Sequence, residues 1–174
     1  MRKLLDTIYL ATCWASAATI LAIALLVSTQ VLLNFSTRVF DLPLPSTIPS
    51  YADFSGFMLA AATFLAMPYT FRSAGHIRVT LITSRLPGKG ALMAEVIALA
   101  IAAGLTGYAC TYIIALVAES WHYNDTSPGM IPIPLWIPQT VMALGMSLLC
   151  VAILDTLVGT LRAGQPIIEN AEEV

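Results

Sequence analysis

The sequence predicts an all-α integral membrane protein with four transmembrane helices. Four apolar runs contain no charged residue, and they cover residues 7–37, 54–71, 96–118 and 126–154. Each run is about as long as, or longer than, the roughly 18 to 20 residues that cross a bilayer core as a helix. Only 10% of the residues are charged, 58% are hydrophobic and the mean hydropathy is +0.83. This composition excludes the soluble globular class.

The distribution of Lys and Arg predicts the orientation of the helices. Seven of the 8 basic residues lie in the amino-terminal stub, in the connection between the second and third runs, or in the carboxy-terminal tail. The first connection contributes only Arg38, and the third contributes none. Because Lys and Arg accumulate in cytoplasmic loops, we expect both termini to be cytoplasmic. The basic cluster borders a membrane, so it does not indicate nucleic acid binding.

The first helix is expected at about residues 7–35. Arg2 and Lys3 followed by an apolar stretch resemble a signal peptide, but the stretch is far longer than the roughly 7–15 residues of a cleavable apolar region. We therefore expect the helix to be retained. Ala11 and Ala15 form a small-residue patch on which another helix can pack closely.

The second helix is expected at about residues 54–71. Pro43, Pro45 and Pro49 predict an extended loop before it. Asp53 is the expected N-cap, and its charge suits the positive end of the helix dipole. Pro68 is expected to kink the helix near its inner end.

A short interfacial segment is expected at about residues 75–86, between the second and third helices. It is too short and too charged to span a membrane, and its apolar side chains alternate with basic ones. The expected lipid anchors on this side are Arg72, His76, Arg78 and Arg85. For His76 the alternative is a catalytic role.

The third and fourth helices are expected at about residues 91–118 and 134–161. Gly104 and Gly107 favour close packing against another helix. Trp121 and Trp136 are expected in the outer aromatic belt as further lipid anchors. The acidic tail, 163–174, is expected to be flexible. The chain reads as a single membrane domain, 1–174.

Three acidic residues lie near ends of the predicted third and fourth helices. Glu95 lies near an amino-terminal end, where the helix dipole stabilises an anion. Glu119 and Asp155 lie near carboxy-terminal ends, where it does not. We therefore expect Glu119 to pair with Arg38, the basic residue of the outer side, and Asp155 to pair with an arginine of the inner side. The alternative is that both acids are solvated at the interface.

The motifs that an enzyme or a metal protein would need are missing from the sequence. His76 and His122 are expected on opposite sides of the bilayer, and Cys13, Cys110 and Cys150 contain no CxxC pair. No GxSxG, HExxH or phosphate-binding loop occurs. We expect no catalytic residue, no metal site and no cofactor. The absence of an ionisable residue at mid-membrane also argues against an ion-coupled pump built from this chain alone.

Two motifs carry a resemblance to a known family. Gly-His-Ile-Arg-Val at 75–79 follows the second helix and precedes Leu86-Pro87, and Ile-Pro-Ile-Pro-Leu-Trp-Ile-Pro-Gln at 131–139 opens the fourth helix, with Gly145 after it. With four helices and both ends inside, the chain resembles the small membrane subunit (DctQ type) of tripartite ATP-independent periplasmic (TRAP) transporters. It departs from the family pattern at Thr80 and at Tyr51-Ala52-Asp53.

The resemblance implies a scaffold in the bacterial inner membrane rather than a conduit. In that family a large, elevator-type membrane subunit carries the solute with sodium, so the sodium coupling is expected there and not in this chain. A periplasmic binding protein delivers the solute, typically an organic acid. The small subunit braces the large one and helps to dock the binding protein. The implied partners are thus the large subunit, the binding protein and membrane lipids.

Three other functions are compatible with four apolar helices. A self-contained channel or small transporter would move solute without a partner. A membrane enzyme or haem-bearing subunit would need ligand residues that the sequence lacks. A generic membrane assembly factor would act without a binding protein.

Overall fold

The computed structural model describes residues 2–40, 43, 45, 47–73 and 88–164. These residues form four helices, which are α1 (Arg2–Phe40), α2 (Tyr51–Arg72), α3 (Gly88–Tyr123) and α4 (Trp136–Ala163). All four are long and apolar enough to cross a membrane, which confirms the predicted all-helical class. The expected interfacial segment at 75–86, with His76, Arg78 and Arg85, lies outside the described residues, and so does the tail from 165 onward.

The helices of the structure are longer than the apolar runs, except at the start of α4. The 39 residues of α1 correspond to about 58 Å at the usual helical rise, against a hydrocarbon core of about 30 Å. A charged residue does not end a helix, so α1 continues beyond its uncharged run to include Asp6 and Arg38. Both ends of such a helix must extend beyond the core or the helix must tilt.

The start of α2 differs from the sequence prediction. The residue before the helix is Ser50, which has a left-handed backbone with φ 55°, and Asp53 lies inside the first turn. The prediction of Asp53 as the N-cap was therefore wrong. The Ser50 hydroxyl does not cap the helix either, because it accepts a hydrogen bond from the backbone N–H of Ile131, at 2.9 Å.

The four helices form an open row in the order α1–α2–α4–α3. Helix α1 packs on α2, α2 packs on α4, and α4 packs on α3. The other helix pairs hardly touch within the described ranges. A closed four-helix bundle would also bring α1 against α3, so this chain leaves its two edge helices without that neighbour.

Polar contacts join the neighbouring helices of the row. Ser16 of α1 is 3% exposed, and its hydroxyl donates to the carbonyl of Ala62 in α2, at 2.7 Å. On the other side of the row, Cys110 Sγ of α3 lies 3.2 Å from Ser147 Oγ of α4. Such interhelical hydrogen bonds contribute about 0.6 kcal/mol each in membrane proteins.

The backbones of α2 and α4 approach closely at the central contact of the row. A Cβ atom on Gly145 would lie 2.9 Å from Phe64 Cβ and would overlap the Phe64 carbonyl. That carbonyl is the one whose helical hydrogen bond Pro68 cannot supply, since proline has no N–H and stands four residues later. The backbones of α2 and α4 therefore approach each other at a position where only glycine fits.

Burial follows the position of each helix in the row. The apolar window of α4 is 28% buried and that of α2 is 17% buried, whereas those of the edge helices α1 and α3 are only 11% and 6% buried. Most large apolar side chains of α1 and α3 thus remain for lipid or for a partner protein to cover.

Candidate functional site

A cluster of charged and polar side chains ties three helices together at one end of the row, which we call the Arg72 end. Arg72 is in the last turn of α2 and is 24% exposed in its side chain. Its Nη2 atom lies 3.4 Å from Asp6 Oδ1 of α1, and its Nη1 atom lies 3.3 Å from Asp155 Oδ2 of α4. The same Nη1 donates to Thr156 Oγ1 at 3.5 Å. We call these four residues the Arg72 clamp.

The planar guanidinium explains how one side chain reaches both neighbouring helices. Arginine presents five N–H donors in a fixed fork, so its two terminal nitrogens can face different carboxylates. A lysine ammonium at the same position would be a single point charge. The clamp therefore holds α1 and α4 on either side of α2 at this end of the row.

Helix dipoles add to the need for the arginine. Asp155 lies near the carboxy-terminal end of α4, where the dipole disfavours a negative charge. Arg72 lies at the carboxy-terminal end of α2, where the dipole favours a positive charge. The positive charge of Arg72 therefore offsets the unfavourable position of Asp155 in the dipole field of α4. With Asp6, the clamp holds two acids and one base.

Two buried hydroxyls lie near the clamp. Tyr9 of α1 is 1% exposed, and its phenol lies within electrostatic reach of Arg72, Asp155 and Asp6. Thr160, one helical turn beyond Thr156, is fully buried. Within the described residues, neither the Tyr9 nor the Thr160 hydroxyl has a hydrogen-bond partner. The Arg72 end thus contains buried hydroxyl groups beside its ion pairs.

A short hairpin at residues 124–135 closes the opposite end of the row, which we call the hairpin end. The backbone N–H of Ser127 donates to the Ile133 carbonyl and that of Leu135 donates to the Asp125 carbonyl, both at 2.9 Å. Ser127 is 4% exposed, and its hydroxyl accepts a hydrogen bond from the Ile133 N–H at 3.0 Å. The hairpin is therefore an ordered element with its own hydrogen bonds.

The hairpin is fixed on the start of α2. Its Ile131 N–H donates to the Ser50 hydroxyl, and a Cβ atom on Gly129 would overlap the Asp53 carboxylate. Gln30 of α1 holds the preceding connection, since its Oε1 accepts from the backbone N–H of Ile48 at 2.7 Å. The connections of the hairpin end thus form one surface over α1 and α2.

Apolar and aromatic side chains project from the hairpin end. Met130 at the hairpin tip is 84% exposed. Trp121 and Trp136, both predicted for the aromatic belt, lie edge to face with ring centroids 4.8 Å apart. The two tryptophans therefore mark one level where α3 ends and α4 begins.

The structure brings some of the sequence-predicted residues together and separates others. Of the arginines proposed as partners for Asp155, Arg72 lies against it, so its guanidinium turns toward carboxylates although the sequence placed it among the lipid anchors. Arg38 and Glu119 are not brought together, because α1 and α3 are the opposite edges of the row, and both side chains are exposed.

The small residues proposed for subunit packing face away from the neighbouring helices of the chain. Ala11 and Ala15 are exposed on α1. A Cβ atom on Gly104 or Gly107 would meet nothing within 4 Å. The glycine that the chain itself needs is Gly145, which the sequence reading noted only as part of a motif.

Sequence reasoning missed several residues that the structure makes central. Asp6 precedes the first apolar run, yet α1 begins at Arg2 and places Asp6 beside Arg72. Tyr9 lies within that run and is buried, which an uncharged run does not indicate. The contact between Phe64 and Gly145 did have a signal in the sequence. Pro68 leaves the Phe64 carbonyl without its helical hydrogen bond, and a glycine in another helix allows close approach to such a carbonyl.

The described residues offer no group of three or more His, Cys, Asp or Glu side chains that is placed to hold a metal ion. The arrangement can hold helices at fixed positions and present surfaces.

Comparison with known families gives one match, which extends over most of the chain. Residues 26–163 match the family described as tripartite ATP-independent periplasmic transporters, DctQ component. The matched range includes α2, α3, α4, the hairpin and most of α1. No curated protein and no solved structure matches the chain.

The family is that of a transporter component and not of an enzyme. Together with four helices that can each cross a membrane, it makes this a multi-pass membrane protein. The partners general to such systems are a large membrane subunit and a periplasmic binding protein. The chain belongs to the DctQ family, the small membrane component of tripartite ATP-independent periplasmic transporters.

Proposed function

We propose that this chain is a passive scaffold that braces the large, elevator-type subunit of a TRAP transporter. The large subunit takes up an organic acid or a similar solute with sodium, and a periplasmic binding protein delivers that solute. The observation that carries the proposal is the open row, in which α1–α2–α4–α3 pack side by side and leave most of their apolar surface uncovered. Such a row is shaped to enlarge a membrane footprint rather than to enclose a path.

The distribution of charge supports a passive role. The charged residues of the described helices lie toward the helix ends, and Glu95 of α3 and Asp155 of α4 are the ones set furthest in. The middle of each helix therefore offers no Asp, Glu, Lys or Arg for ion coupling. We therefore assign the sodium sites to the large subunit and no cofactor to this chain.

An elevator mechanism requires one part that stays still while another moves across the bilayer. The Arg72 clamp supports that role, because it holds α1, α2 and α4 at one end of the row, while the Ser50–Ile131 hydrogen bond holds the hairpin at the other. We propose that the Arg72 end is cytoplasmic, since the excess of Lys and Arg belongs to that side. The membrane is then the bacterial inner membrane and both termini are cytoplasmic.

The proposed orientation places the hairpin end in the periplasm. Its exposed Met130 tip, with Ile131 43% exposed beside it, is an apolar surface on an ordered element. We propose that it contributes to docking the binding protein. The basic segment at 75–86 would hold depth and tilt through anionic headgroups on the other side.

Reconstitution tests the scaffold role directly. A tagged form of this chain, the large membrane subunit and the binding protein are co-expressed, purified and placed in liposomes. We expect the large subunit to co-purify with the tagged chain, and uptake to require the sodium gradient and all three components. Solute uptake by this chain alone would contradict the proposal and favour a self-contained channel. Co-purification without any need for the binding protein would favour a general assembly factor.

A further inference from the structure

Two exposed tyrosines lie near the middle of the uncharged run of α3. Tyr108 is 64% exposed and Tyr112 is 61% exposed, and their ring centroids are 4.7 Å apart. The uncharged run of this helix extends from 96 to 118, so Tyr108 is one residue past its midpoint and Tyr112 is one turn further along. Tyrosines that face lipid normally lie in the aromatic belts at the membrane surfaces.

The hydroxyl groups of this pair are not fully satisfied by the chain itself. The two rings lie side by side, tilted by 51°. The pair carries two O–H protons, and a hydrogen bond between the hydroxyls would use only one of them, so at least one proton is left for another acceptor. Thr106 and Thr111 of the same helix differ, because their hydroxyls donate to carbonyls of α3 at 2.7 Å.

A free O–H is costly in hydrocarbon. Transfer of an unpaired hydroxyl from water to a hydrocarbon medium is strongly unfavourable, because nothing there can accept its hydrogen bond. An exposed tyrosine near a membrane surface avoids this cost by reaching water, but one near the middle of a span is about 15 Å from either surface of the core. A protein acceptor at that depth would remove the cost.

The other edge helix provides a comparison. The uncharged run of α1 is centred near residue 22, and the exposed side chains around that level are Ile20, Leu21 and Leu25. These aliphatic side chains are suited to lipid tails. The two edges of the row therefore differ in chemistry, and α3 is also the least buried helix of the four, at 6% of its apolar window.

We propose that the Tyr108–Tyr112 face of α3 docks on a transmembrane helix of the large membrane subunit that presents a hydrogen-bond acceptor near mid-membrane. This inference rests on the proposed scaffold function and specifies which edge of the row meets the partner. Gly104, one turn before Tyr108, has open space around it and allows that helix to approach closely. The α1 edge, in contrast, faces lipid.

Site-specific photocrosslinking in the co-expressed transporter tests the assignment. A photoreactive phenylalanine analogue replaces Tyr112 in one variant and Leu21 in another, two positions with the same 61% exposure inside the uncharged runs of the two edge helices. We expect the probe at 112 to form an adduct with the large subunit and the probe at 21 to react with lipid. Adducts of the probe at 112 with lipid or with a second copy of this chain, while the large subunit still co-purifies, would overturn the inference and leave the scaffold function intact. So would equal crosslinking from both positions. Loss of co-purification from the unmodified chain would instead overturn the scaffold function, and this inference with it.

Removal of the hydroxyls provides a second test that leaves the fold unchanged. The double variant Tyr108→Phe/Tyr112→Phe distinguishes two cases. If this face of α3 contacts lipid, loss of the hydroxyls makes it more compatible with hydrocarbon. If it docks on the large subunit, the variant loses a hydrogen bond to that subunit. We expect the affinity for the large subunit to fall about threefold, the usual effect of one interhelical hydrogen bond in a membrane. Tyr123→Phe is the control, because Tyr123 is 69% exposed at the end of the same helix. Unchanged or tighter association of the double variant would contradict the inference.

Discussion

The carbonyl of Phe64 in α2 faces Gly145 in α4, and no side chain fits between them. Pro68 leaves this carbonyl without its helical hydrogen bond, and the glycine allows the backbone of α4 to approach it. This close contact between α2 and α4 thus depends on three residues on two helices.

Replacement of Gly145 should loosen this contact. We expect Gly145→Ala to destabilise the chain by about 1–3 kcal/mol, because an added methyl group in a packed interface forces the backbones apart. Thermal unfolding in detergent is the measurement. Gly56→Ala is the matched control, since Gly56 lies in α2 with nothing within 4 Å of its would-be Cβ atom. The control should be neutral, or stabilising by up to about 1 kcal/mol through helix propensity. Equal effects of the two variants would contradict the close approach.

Loss of the guanidinium should release the two helices that flank α2 at the Arg72 end. We expect Arg72→Gln to cost about 1–2 kcal/mol, between the values for exposed and for buried ion pairs, because the cluster is partly exposed. Asp155→Asn should cost more than Asp6→Asn, since the Asp6 side chain is 56% exposed and the Asp155 side chain is 27% exposed. The free energy of unfolding in detergent gives the ranking. Arg162→Gln is the control, because Arg162 is exposed near the end of α4. A loss as large in this control as in Arg72→Gln would show that total charge matters rather than the clamp.

The hydroxyl of Ser50 should govern the protection of the hairpin. In Ser50→Ala the Ile131 N–H loses its acceptor, and we expect its hydrogen exchange to become about five- to tenfold faster, the equivalent of about 1 kcal/mol. Alanine also tolerates the left-handed backbone of this position poorly, so the start of α2 should exchange faster as well. Thr47→Ala, three residues earlier in the exposed connection, serves as the control. Unchanged exchange at Ile131 would contradict the attachment of the hairpin to α2.

The hydrogen bond between Ser16 and Ala62 should contribute measurably to the α1–α2 contact. We expect Ser16→Ala to destabilise the chain by about 0.6 kcal/mol, the average for interhelical hydrogen bonds in membranes. Thr19→Ala is the matched control on the same helix, because its hydroxyl donates within α1 to the carbonyl of Ala15. Reversible unfolding in detergent can separate the two variants. If Thr19→Ala lowers the free energy of unfolding as much as Ser16→Ala does, the hydrogen bond between α1 and α2 contributes no more than one within α1.

The sequence was sufficient to predict the four helices, but it did not predict their order in space. Long uncharged runs report where a chain can cross a membrane, and they predicted each of α1 to α4. These helices are apolar on all sides, so no amphipathic stripe shows which faces meet. Small residues were therefore ambiguous, since Gly104 and Gly145 look alike in the sequence, although the first faces open space and the second supports the central contact.

The charged residues show the same limit. Arg72 could be placed at a helix end and at the membrane surface, but not beside particular acids, because ion pairs between helices depend on which helices are neighbours. Asp6 and Asp155 are 149 positions apart in the chain and meet the same guanidinium only because α1 and α4 flank α2. The hairpin was predicted only as the connection between the third and fourth helices. Its hydrogen bonds join Ile133 to Ser127 and Ile131 to Ser50, and neither pairing has a local signature in the sequence.

The order α1–α2–α4–α3 has a consequence for biogenesis. During translation α1 and α2 can associate as soon as both have left the ribosome, but α3 then has no neighbour within the nascent chain. Helix α3 therefore stays in lipid or against the insertion machinery until α4 is synthesised and packs between α3 and α2. The last of these four helices to be synthesised is therefore the one that joins α1 and α2 to α3.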